Sequence, residues 1–145
     1  MKTKLSILIL AFTSMIGLAH EGVERGPNGG RILDFSKNET MHGEVTIQGD
    51  KFHIALLDKD MKPVALAKQS LAATTGDRDN PQKLDVATDA KGFILPLVKE
   101  GEWLILRFKD SLDGKAITAR FEYNTKECEG CKAPEWLCKC EPEKK

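Results

Sequence analysis

The sequence predicts an all-β fold, an antiparallel immunoglobulin-like sandwich with a Cys-rich C-terminal tail, and three observations carry that expectation. Apolar and polar residues alternate with period two through most of residues 44–123. Turn-forming clusters separate these runs at short intervals, and no segment of helical length carries a stripe of period 3.6. All four cysteines (Cys128, Cys131, Cys138 and Cys140) come after the last strand-like run.

Taken in order, residues 1–19 read as a secretory signal peptide. Lys2 and Lys4 precede an apolar run over 5–16, and small residues at Gly17 and Ala19 fit cleavage after Ala19, so that the mature chain begins at His20. Thr13, Ser14 and Gly17 interrupt the run, which is short of the roughly 20 apolar residues of a membrane span. No span is expected after cleavage. The rest divides into a Gly-rich segment over 20–40, a β-sandwich over 41–123 and the tail over 124–145. Removing residues 1–19 takes away two lysines and no acid, leaving 20 basic against 22 acidic residues, a formal charge of −2. That balance lacks the basic face that nucleic acid requires.

Within the sandwich, Val45 and Ile47 alternate with Glu44 and Thr46, Gln48-Gly49-Asp50-Lys51 supplies a hairpin turn, and Phe52, Ile54 and Leu56 return on one face. Residues whose numbers sum to 99 then face each other across the hairpin. Further strand-like runs cover 71–75, 84–88, 93–98, 103–109 and 117–123, giving seven or eight short strands. The expected core is Val45, Ile47, Phe52, Ile54, Leu56, Leu104, Leu106, Phe108, Ile117, Ala119 and Phe121, with Trp103 half covered. Each buried aliphatic or Phe side chain contributes about 1.5–3 kcal/mol. On that count the sandwich does not need the tail to fold.

Three chemistries compete for the Cys-x2-Cys-x6-Cys-x-Cys pattern. Exported thiols pair into disulfides, and Cys138 and Cys140 are too close to bridge each other comfortably, so they would cross-pair with Cys128 and Cys131. A four-thiolate zinc or copper(I) site is the second, since Cys-x-x-Cys and Cys-x-Cys each offer a close pair of sulfurs, although the spacing is less specific than two full Cys-x-x-Cys knuckles. Thiol exchange is the third, and Glu127 and Glu129 disfavour the thiolate it needs. His20 would carry a free amino group beside its imidazole after cleavage, a copper(II) chelate that His42 or His53 could complete. His42 and His53 are themselves expected as surface residues, four positions apart in register and unable to share one ion.

Gly26-Pro27-Asn28-Gly29-Gly30-Arg31-Ile32-Leu33 resembles the Gly-Pro-His-Gly-Gly-Arg-Leu stretch of a small periplasmic β domain. That domain opens some heavy-metal (copper/silver-type) efflux adaptor proteins and also occurs as stand-alone secreted proteins. Glu44-Val45 and the run from Leu56 through Asp58, Met61 and Pro63 to Val64 are similar to it too, so the resemblance covers 26–66. Asn28 stands where that pattern has histidine, and the adaptor's long helical hairpin is absent. The resemblance implies metal handling and, as a partner beside the metal ion, a metal-efflux or other periplasmic protein. The expectation is thus an exported periplasmic or secreted metal-handling accessory protein using zinc or copper at Cys128, Cys131, Cys138, Cys140 and His20. The alternative is a secreted structural or interaction domain with a disulfide-linked tail. No Ser/His/Asp set or close carboxylate pair suggests an enzyme.

Overall fold

A computed structural model describes residues 23–140 as two antiparallel sheets packed face to face. The expected signal peptide and His20 lie outside the described residues. The strands are β1 (Arg31–Asp34), β2 (Met41–Gln48), β3 (Lys51–Asp58), β4 (Pro63–Val64), β5 (Ser70–Thr75), β6 (Gln82–Leu84), β7 (Ala87–Asp89), β8 (Gly92–Pro96), β9 (Trp103–Lys109) and β10 (Ile117–Glu122). The first sheet runs β1-β2-β3-β8-β7, with β4 also paired to β3, and the second runs β10-β9-β5-β6. Among the described residues there is no α-helix, only a 3-10 turn at Glu135–Leu137, and no helix long and apolar enough to cross a membrane.

The β2–β3 hairpin adopts the expected register, Val45 opposite Ile54 and Thr46 opposite His53. Gly49 takes φ 63°, a left-handed value that glycine meets without Cβ strain, and the two-residue turn fixes every pair behind it. Two expectations change. The run 84–88 is not one strand: the chain leaves the second sheet after Leu84 and joins the first at Ala87, so that Val86 packs against the core between them. The Gly-rich segment set before the sandwich at residue 41 also supplies one of its strands, because β1 pairs along β2 from Arg31 opposite Val45 to Asp34 opposite His42.

Eight of the eleven expected core residues are buried. Ile47 is 36% exposed, since it lies at the end of β2, while Ile117 and Ala119 are half-buried on the edge strand β10. Trp103 is 44% exposed, half covered as expected. The core also takes in Phe35, stacked on Phe108 at 4.5 Å, and Phe93 set edge-on to Phe108.

The outer face of the first sheet departs most from the alternation. Glu44 is fully buried there and His42 is 6% exposed, its Nδ1 3.1 Å from Asp34 Oδ1. The surface placement of His42 is therefore corrected; the copper site with His20 lies outside the described residues. Glu44 is enclosed by the Gly-rich loop. Its Oε1 accepts from the backbone N–H of Asn28 at 2.8 Å and of Gly30 at 3.0 Å, and its Oε2 accepts from the Asn28 side-chain amide at 2.7 Å. A Cβ at Gly30 would stand 2.4 Å from the Val45 carbonyl oxygen, so only glycine lets the loop come this close.

Candidate metal centre

The tail folds back onto the sandwich. Beyond Tyr123, the Trp136 backbone N–H donates to the Asn124 carbonyl at 3.0 Å and that of Glu135 to Lys126 at 2.8 Å. Between these, residues 127–134 form a narrow loop closed by Cys128 N–H to Ala133 O at 2.8 Å and Lys132 N–H to Cys128 O at 2.9 Å. Lys132 adopts φ 60° at its sharpest point. Cys128 and Cys131 thereby sit on one tight knuckle, and the 3-10 turn brings Cys138 and Cys140 up beside it.

The four Sγ atoms all lie within 4.8 Å of one another. Individual contacts are 3.1 Å for Cys138–Cys128, 3.5 Å for Cys131–Cys138 and 3.8 Å for Cys128–Cys140, and no pair is bonded. A tetrahedral ion with metal–sulfur bonds of about 2.3 Å separates its sulfurs by about 3.8 Å, so the cluster already has the required size. Among the described residues it is the one group of three or more His, Cys, Asp or Glu side chains so placed. Cys131 and Cys140 are exposed, while Cys128 and Cys138 are half-buried.

Backbone dipoles prepare part of the set for thiolate chemistry. The Ala133 N–H and then the Cys138 thiol bring Cys131 down to about 6, and the Cys131 N–H, the Cys138 thiol and the Gly130 N–H lower Cys128. The protons go to the other pair. Cys138 is pushed up to about 12, chiefly by its contact with Cys128, although the Cys140 N–H opposes this. Cys140 is lowered by its Cys138 contact but raised by Cys131 and Cys128, and the net shift is upward. Four sulfurs this close cannot all ionise unaided, and a cation among them removes that conflict.

No protein-family model, curated protein or solved structure matches this chain. The site is therefore assigned from its own residues. The structure brings together the four cysteines expected as ligands. It does not bring in either described histidine: His42 is held against Asp34, and His53 lines a separate groove with Asn28, Thr46 and Lys91.

Three residues essential to the arrangement escaped the sequence reading. Trp136 is 5% exposed and packs on Phe121 at 5.7 Å, Tyr123 at 5.9 Å and Phe52 at 6.2 Å. Arg25 donates from Nε and Nη2 to the Leu137 carbonyl at 3.0 and 2.9 Å, and Arg31 from Nη1 to the Trp136 carbonyl at 2.9 Å. Burial lowers the pKa of Arg31, whose guanidinium lies 5.2 Å from the Phe121 ring centroid. The signal for Trp136 was available: the Trp136-Leu137 pair is the largest apolar step in an otherwise charged tail.

Proposed function

We propose that this chain is an exported, periplasmic metal-handling protein that holds one zinc or copper(I) ion on Cys128, Cys131, Cys138 and Cys140. The observation that carries the reading is the unbonded cluster of four sulfurs within 4.8 Å of one another, the size a four-thiolate ion site needs, with backbone N–H groups aimed at its sulfurs. An all-sulfur set favours a soft or borderline closed-shell ion over magnesium or calcium. The signal-like residues 1–19 and the Gly-Pro-Asn-Gly-Gly resemblance support the location and a metal-efflux or other periplasmic partner. The exposure of Cys131 and Cys140 suits acceptance and release of an ion.

Protein purified from its native compartment should carry about one zinc or copper ion per chain. A chelator should then expose four reactive thiols, because metal-held thiolates become available only when the ion leaves. Replacing Cys138 and Cys140 by serine should abolish the metal while circular dichroism keeps its β signature. An intact mass two disulfides lighter, with no metal, would overturn the proposal and favour the secreted interaction domain.

A further inference from the structure

We infer that metal occupancy and the seating of Trp136 are one coupled event, so that binding the ion closes the tail over an aromatic slot in the sandwich and losing it opens that slot. This rests on the metal reading of the four cysteines and assigns that site a regulatory consequence.

Trp136 lies two residues before Cys138. The 3-10 turn joins them rigidly, with Leu137 N–H bonded to Pro134 O at 2.8 Å and Cys138 N–H to Glu135 O at 3.0 Å. Displacing the indole therefore displaces a ligand. Between residues 124 and 140 Trp136 is the only buried residue, and every other is half-buried or exposed. A segment with a single buried side chain has little packing with which to offset its chain entropy, and a four-point metal cross-link supplies the missing constraint. Conversely, Arg25 and Arg31 grip the carbonyls of Leu137 and Trp136 and hold the turn where Cys138 meets Cys128. Each half preorganises the other.

Thermodynamic linkage makes the coupling reciprocal. Removing the metal should unseat Trp136, baring Phe52, Phe121 and Tyr123, and removing Trp136 should weaken metal binding although the indole supplies no ligand.

The test uses the full chain under reducing conditions, with zinc as the probe, in a Trp103→Phe background that leaves Trp136 as the only indole. Stripping zinc with a chelator should shift the Trp136 emission to the red and speed amide exchange at 134–138, and restoring zinc should reverse both. By competition against a chromophoric chelator, Trp136→Ala should lower zinc affinity by about 5- to 150-fold, the span of typical couplings. Arg25→Met leaves the core intact and should lower affinity in the same direction, which keeps the inference testable should Trp136→Ala fail to fold. Stoichiometric zinc binding with unchanged emission, and with affinity unaltered in the variants, would overturn the coupling and leave the metal site standing. Failure of the parent chain to bind zinc or copper(I) would overturn both.

Discussion

Replacing Glu44 tests whether a buried carboxylate without a cationic partner is held by hydrogen bonds alone. In Glu44→Ala the Gly30 N–H, which is buried, loses its acceptor at a cost of about 1–3 kcal/mol. The two Asn28 donors lie nearer the surface and regain water, so each lost bond costs about 0.5–1.5 kcal/mol. The expected destabilisation is about 2–6 kcal/mol, a large share of the roughly 5–15 kcal/mol typical of a domain. Glu44→Gln should be much milder. Its carbonyl oxygen can keep both backbone donors, and the Asn28 amide can turn to offer oxygen to the new NH2. What remains is the loss of charge assistance, about 1–2 kcal/mol. Equilibrium urea unfolding at fixed metal content measures both variants, provided the m-value is unchanged. An alanine variant within about 0.5 kcal/mol of the parent would refute the reasoning. A glutamine variant as costly as alanine would show that the negative charge, not the acceptor geometry, holds the loop.

Relative to the zinc-loaded chain, truncation after Asn124 removes Trp136 from its slot and should cost about 3–5 kcal/mol, the usual toll of deleting a buried Trp. The sandwich should still unfold cooperatively, with Tm lower by about 10–25 °C in calorimetry, and an unchanged Tm would show that the tail adds nothing. Zinc binding at pH 7 should release protons, because Cys138, pushed up to about 12, holds one that the ion must displace. Affinity should rise with pH above neutrality and fall more steeply below about 6, where Cys131 also protonates. Calorimetry in buffers of different ionisation enthalpy counts those protons, and none released at pH 7 would contradict the assignment.

Local chemistry was the legible part of this molecule. The β2–β3 register followed from one short turn, and the inward face of the sandwich followed from alternation. What covers a sheet's outer face is decided by distant segments, which is why Glu44 and His42 read as solvated and prove buried. The split of 84–88 was hidden for a related reason: period-two alternation looks the same whether a run stays in one sheet or crosses between two. At the candidate metal centre the cysteines and their spacing were readable, but their convergence also depends on where Trp136 and the two arginines hold the turn. The arginine contacts span more than a hundred residues and leave no periodic trace.

The Arg25–Leu137 clamp also sets an order of events. It joins positions 112 residues apart, and a chain synthesised from its N-terminus presents the guanidinium long before the carbonyl it will hold. Contacts of such separation close late, after the hairpins have paired. The four-sulfur cluster therefore assembles on a sandwich whose sheets have already paired, and any ion held there enters a scaffold rather than building one.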